Sequence, residues 1–99
     1  ADRVGALRAL SPYGSCLLKG RHSLISGAPI LVNPTGGPAL AVGGSGDVLA
    51  GVVGAFLARG LGPREALAAA AYLHGQAGEG QPVGLLASEL PALIASLQA

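Results

Sequence analysis

The glycine- and proline-rich stretch at residues 33–44, followed at once by a long helical stripe, constrains the fold more than any other part of the chain. Those twelve residues hold two Pro, four Gly and one Thr, which is the composition of a loop. From Ser45 the pattern changes. Val48, Leu49, Val52, Val53, Phe56 and Leu57 recur at helical spacing. Ser45 suits the N-cap, and Asp47 falls in the first turn, where a carboxylate complements the helix dipole. Gly60 supplies a stop. The sequence therefore predicts a helix over residues 45–59 that is entered from a glycine loop.

The flanking segments are shorter. Val4, Ala6, Leu7 and Leu10 give residues 2–10 a helical spacing, which Ser11-Pro12 ends. Residues 15–18, 22–26 and 30–32 read as strands separated by Lys19-Gly20 and Gly27-Ala28-Pro29 turns, and so as a hairpin at a sheet edge. Gly62-Pro63 opens another helix, with Pro at its first position and Glu65 in its first turn. It runs to about Ala77 and ends near Gly78. A last helix is predicted over residues 85–97 despite Pro91. Short strands are too few here for an α/β sheet covered on both faces. The expected fold is therefore α/β, with residues 1–99 forming the C-terminal part of a larger three-layer domain whose main sheet lies upstream.

Composition fits a buried environment. Apolar residues make up 51% of the chain and charged residues 11%, well below the quarter usual for a free-standing domain. Some apolar surface is therefore expected to be covered by further chain or by a second copy. With aromatics at 3% and 17 Gly, the core has to be built from small side chains and close backbone approach. A net charge of +1 gives no electrostatic case for nucleic acid or an anionic membrane. No stretch is apolar enough to span a bilayer, and no signal peptide is visible at the start. The single Cys16 excludes an internal disulfide and reads as a small buried hydrophobe. A cytoplasmic protein is expected.

Chemistry concentrates around Gly43-Gly44-Ser45-Gly46-Asp47. The N–H groups at a helix N-terminus bind anions, and glycines let phosphates approach the backbone. A carboxylate beside a phosphate is repelled by it. Asp47 makes functional sense if it takes the proton of a nucleophilic hydroxyl as phosphate transfers. The plainer reading is a Ser cap and an Asp that satisfies the dipole. No Gly-Lys-Ser/Thr follows, so this is not a Walker A loop. The segment Lys19-Gly20-Arg21-His22-Ser23 reads first as an exposed hairpin turn, although a Lys there suits a phosphate contact. A lone helical His74 reads as packed or exposed. No second ligand at metal spacing accompanies it, so no protein metal site is expected.

Taken together, several segments resemble one family. Leu18-Lys19-Gly20, Asn33-Pro34-Thr35-Gly36, the run from Ala41-Val42-Gly43-Gly44 through Ser45-Gly46-Asp47 to Val48-Leu49-Ala50-Gly51, and Tyr72-Leu73-His74-Gly75 occur in that order. The chain resembles the C-terminal part of the ADP- or ATP-dependent NAD(P)H-hydrate dehydratases, a ribokinase-like family. The resemblance implies nucleotide-dependent repair of hydrated NADH or NADPH. The partners would be the hydrate and an adenine nucleotide, with Mg²⁺.

By that resemblance Asp47 contacts the hydrate and acts as base, and Gly44, Ser45 and Gly46 form an anion hole. Lys19, Gly20, Arg21, His22, Ser23 and Gly46 contact the nucleotide, while Asn33 and Thr35 shape the phosphate and Mg²⁺ region. Val42 stands where the family more often has Thr, which removes a polar group. An isolated chain of this length is expected to be inactive without the rest of the domain. The alternatives are a small-molecule kinase of the ribokinase superfamily and a non-catalytic nucleotide-binding or assembly fragment.

Overall fold

Ala66, Ala70, Leu73 and Ala77 recur at three- and four-residue spacing and so line one face of a single helix. That helix organises the molecule. The computed structural model describes residues 3–10, 12, 14–19, 22–37, 44–79, 81 and 85–98. In chain order these form α1 (Arg3–Leu10), β1 (Leu17–Leu18), β2 (Leu24–Ile25), β3 (Leu31–Val32), α2 (Ser45–Ala58), α3 (Pro63–Gly78), a 3₁₀ turn (Ala87–Glu89) and α4 (Leu90–Leu97).

The small side chains on α3 allow α2 and α4 to pack closely against it. Ala66 and Ala70 are both 0% exposed. They form one apolar cluster with Leu49 and Phe56 of α2. Ala77 forms a second with Leu85, Leu90 and Ile94. Leu73 and Val52 are half-buried and pack against both clusters, so the three helices share a continuous core made largely of Ala, Leu and Val, as the composition required. Among the predicted stripe positions of α2, Leu57 departs from this pattern and is 44% exposed.

The other side of α3 meets the sheet. The strands pair antiparallel in the order β1-β2-β3, with Leu17 opposite Ile25 and Leu24 opposite Val32. The regular pairing is only two residues per strand, shorter than expected. Ser26 explains part of this. Its N–H still donates to the Cys16 carbonyl at 2.9 Å, but its hydroxyl oxygen takes the Cys16 N–H, also at 2.9 Å, so a side chain replaces one rung of the ladder. Cys16 is half-buried rather than buried, and its thiol donates to the Gly14 carbonyl at 3.3 Å. The Ala28–Pro29 peptide bond in the β2–β3 connection is cis. Leu7, 1% exposed, anchors α1, whereas Val4 and Leu10 are exposed. The Cα extents are 35 × 33 × 19 Å. α3 packs on β2, and α1 on β1 and β2. Leu24 and Ile25, adjacent in β2 and so pointing to opposite faces of the sheet, are both buried.

Two helix boundaries differ from expectation. Gly44, not Ser45, is the N-cap of α2; its φ of 89° places it in the left-handed region that glycine tolerates. The last helix starts at Leu90 instead of residue 85. Pro91 lacks an N–H and is accommodated only in a first turn, so the chain before it forms the 3₁₀ turn, with the Glu89 carboxylate accepting the Leu86 N–H at 2.9 Å. Gly60 follows the end of α2 with φ 95° and open space around it. Replacing Gly60 with Ala is expected to cost about 1 kcal/mol through backbone strain alone. A lower urea midpoint at an unchanged m-value would show it.

Candidate functional site at the first turn of α2

The first intrahelical bond of α2 runs from the Val48 N–H to the Gly44 carbonyl at 3.1 Å. The N–H groups of Gly44, Ser45, Gly46 and Asp47 precede it and have no intrahelical acceptor, so they form the positive end of the helix. Asp47, in the same turn, is exposed.

The β1–β2 connection brings a cation to this end. A Cβ built on Gly46 would stand 2.6 Å from Lys19 Nζ, so the ammonium lies directly over the Gly46 backbone. Any larger residue at position 46 would displace it. Placing an ammonium against the positive end of a helix is electrostatically unfavourable by itself, by about 0.3–1 kcal/mol. The arrangement is favourable for an anion held between them, such as a phosphate bound by backbone N–H groups and by a lysine point charge. The absence of a side chain at Gly46 is what leaves room for the Lys19 ammonium beside these N–H donors.

Behind this corner the hairpin turn is tied down. The guanidinium of Arg3 in α1 donates to the carbonyls of Leu18 at 3.4 Å and His22 at 2.8 Å. No motif in the sequence drew attention to Arg3, because its acceptors are backbone atoms 15 and 19 positions away. His22 is exposed. Ser23 is half-buried, and its carbonyl accepts the Asn33 N–H at 2.8 Å in the β2–β3 pairing. Gly20 and Arg21, named from the sequence for the nucleotide, lie outside the described residues, as do Val42 and Gly43.

Asn33 and Thr35 are bound to α3 instead. Asn33 is buried. Its amide donates to the Ala71 carbonyl at 3.0 Å, while its Oδ1 faces the Thr35 N–H at 3.3 Å and the Thr35 hydroxyl at 2.9 Å. That hydroxyl also lies 3.0 Å from the Tyr72 carbonyl, so its one proton serves one of two acceptors. Gly75 makes the contact possible. A Cβ there would lie 2.8 Å from the Thr35 carbonyl carbon, closer than packed atoms come. Beyond it, the Gly36 N–H donates to the Glu79 carboxylate at 3.2 Å. His74 is buried on the same helix. The Asn-Pro-Thr-Gly loop and the His-Gly pair thus belong together because one packs on the other.

Elsewhere, an apolar cleft of about 360 Å³ opens between α2 and α4, lined among others by Val52, Phe56, Pro91 and Ile94. Its walls offer few polar groups, and it is separate from Lys19. No described helix is long and apolar enough to cross a membrane.

Comparison with known proteins agrees with the resemblance. A family model described as NAD(P)H-hydrate dehydratase matches residues 4–96. The chain is 55% identical over 82 residues to a bifunctional NAD(P)H-hydrate repair enzyme, Nnr, of Pyrobaculum aerophilum, covering 80% of this chain and 16% of that one. It is 40% identical over 100 residues to an ADP-dependent (S)-NAD(P)H-hydrate dehydratase of Neisseria meningitidis, covering 91% and 34%. Among solved structures, an ADP/ATP-dependent NAD(P)H-hydrate dehydratase of Bacillus subtilis co-crystallised with ATP and Mg²⁺ superposes with a TM-score of 0.85. It shares 31% identity, over 96% of this chain and 37% of that one. The chain therefore spans between about a sixth and somewhat over a third of the length of these relatives.

Proposed function

Starting from the chain's membership of the NAD(P)H-hydrate dehydratase family, we propose that it contributes the phosphate-and-base corner of an enzyme that uses ADP or ATP to dehydrate hydrated NADH or NADPH. The observation that carries the reading is Lys19 Nζ lying over Gly46 at the open first turn of α2. In this reading the N–H groups of Gly44, Ser45 and Gly46, with the Lys19 ammonium, hold the terminal phosphate of the nucleotide. Gly20 to Ser23 continue along it.

Asp47 stands beside that phosphate and meets the hydroxyl of the hydrated ring. As the hydroxyl oxygen bonds to phosphorus, the bond from phosphorus to the nucleotide breaks and Asp47 takes the hydroxyl proton. The Lys19 ammonium and the helix end balance the negative charge on the transferring group. Inorganic phosphate then leaves the ring with loss of a neighbouring proton, which restores the dihydropyridine.

Mg²⁺, when bound, neutralises phosphate charge, and such ions are held largely by phosphate oxygens, water and one or two carboxylates. Asn33 and Thr35 do not fit as direct ligands, since their polar side-chain atoms face one another and α3. Among the described residues no group of three His, Cys, Asp or Glu could hold a metal. We assign Asn33 and Thr35 the task of fixing residues 33–36 on α3.

The remainder of the domain would supply the hydrate pocket and cover exposed apolar residues such as Val32 and Leu86, alone or with a second copy. A cytoplasmic setting suits these substrates. The test is an ADP-dependent assay of NADHX loss in a complete domain of the family carrying this chain. ADP-dependent return of NADH supports the reading, and a phosphorylated product that accumulates without elimination would replace it with a kinase. In the same assay, Gly46→Ala is expected to raise the KM for ADP roughly tenfold, or about 1.4 kcal/mol, by displacing the Lys19 ammonium. Thermal stability should remain close to wild type, because only the end of a flexible side chain has to move.

A further inference from the structure

We infer that Arg3 is a positioning residue for the nucleotide, acting through Lys19; this rests on the phosphate reading above. The Arg3 guanidinium joins both ends of the turn that carries Lys19, through the Leu18 carbonyl at 3.4 Å and the His22 carbonyl at 2.8 Å. Both bonds leave one terminal nitrogen, Nη2, whose two N–H groups face the two carbonyls, so a single donor atom bridges residues 18 and 22.

Lys19 needs such support. It is exposed, follows a strand whose regular pairing is only two residues long, and is a flexible side chain that must end over Gly46. The position of its Cα decides whether Nζ arrives there. α1 is held against β1 and β2 by the buried Leu7, so Arg3 reaches the turn from an anchored base. Removing its guanidinium leaves Leu7 in place and releases the turn alone. The consequence is a loss of preorganisation: Lys19 would still be present, but it would have to be ordered by the arriving phosphate.

The experiment compares Arg3→Ala, Arg3→Lys, Lys19→Ala and the Arg3→Ala/Lys19→Ala double variant in a complete domain of the family carrying this chain, with ADP as the varied substrate. Arg3→Ala is expected to raise the KM for ADP roughly tenfold with kcat little changed. Arg3→Lys should recover part of that loss. On the Lys19→Ala background, Arg3→Ala should add no further rise, because both changes remove one interaction. Hydrogen exchange at Lys19 and its neighbours should accelerate in Arg3→Ala while the interior of α2 keeps its protection. An unchanged KM, KM effects that multiply in the double variant, or unchanged exchange at the turn would each overturn the inference. If the wild-type domain showed no ADP-dependent turnover, the phosphate reading would fail instead. The exchange measurement would still decide whether Arg3 holds the turn.

Discussion

Asp47→Asn, in a complete domain of the family carrying this chain, is expected to lower kcat for ADP-dependent dehydration by roughly 10²–10⁴-fold, the usual contribution of a positioned general base. The substitution keeps shape and hydrogen-bonding capacity but removes the ability to take a proton. It should leave the fold almost untouched, since Asp47 is exposed. Losing a carboxylate from the first turn costs at most about 0.3–1 kcal/mol of dipole compensation. Affinity for ADP should stay equal or improve, because a negative charge beside a phosphate opposes binding. This combination separates a base from a cap. If Asp47 merely satisfied the helix dipole, kcat would hold while stability fell slightly. A wild-type kcat in Asp47→Asn would end the base assignment.

Gly75→Ala is expected to destabilise the protein, against the ordinary helix propensity. In an exposed helix interior Ala is favoured over Gly by about 1 kcal/mol. At position 75 the new methyl meets the Thr35 backbone, with its carbonyl carbon 2.8 Å from the built Cβ. Backbone cannot rotate away as a side-chain tip can. Relieving the overlap means pushing residues 33–36 off α3, which breaks the Asn33–Ala71 and Thr35–Tyr72 bonds and leaves a buried amide unsatisfied. Overpacking of this kind costs about 1–3 kcal/mol, and the lost bonds add to it. The net result should be destabilisation of about 2 kcal/mol. In a complete domain of the family, several times the length of this chain, that lowers the melting temperature by roughly 4–8 °C. Gly54 offers the contrast within the same molecule. It is exposed in the middle of α2 with nothing within 4 Å of a built Cβ, so Gly54→Ala should stabilise by about 0.5–1 kcal/mol. Equal effects at the two positions would mean that the Gly75–Thr35 approach does not matter.

What the sequence revealed depended on how local the cause was. α2 and α3 were legible because each carries its own apolar stripe and its own punctuation, namely Gly60 after the first and Gly62-Pro63 before the second. The start of α4 was misread although its signal was present, since Pro91 marks a first turn and not a helix interior. The strands were located correctly but drawn too long. Periodicity does not show that the Ser26 hydroxyl substitutes for a ladder rung.

The site divides the same way. Gly46, Asp47 and Lys19 stood out by residue type, whereas the contact of Lys19 with Gly46 joins positions distant in sequence. Arg3 carried no signal at all, because it acts on carbonyls, which every residue has. Asn33 and Thr35 were noticed as polar groups near a glycine loop. Only the fold reveals that their side chains are engaged with one another and with α3 carbonyls.

The central claim is that the first turn of α2, with Lys19 above it, is where the nucleotide phosphates bind. The most direct measurement is an amide chemical-shift titration of a complete family domain carrying this chain with ADP. The account predicts that the largest saturable shifts within this chain fall on the N–H groups of Gly44, Ser45, Gly46 and Asp47 and on the neighbours of Lys19, and that Gly46→Ala moves the titration to higher ADP. Shifts confined to another surface, such as the apolar cleft between α2 and α4, with the Gly46 amide unmoved at saturation, would contradict it.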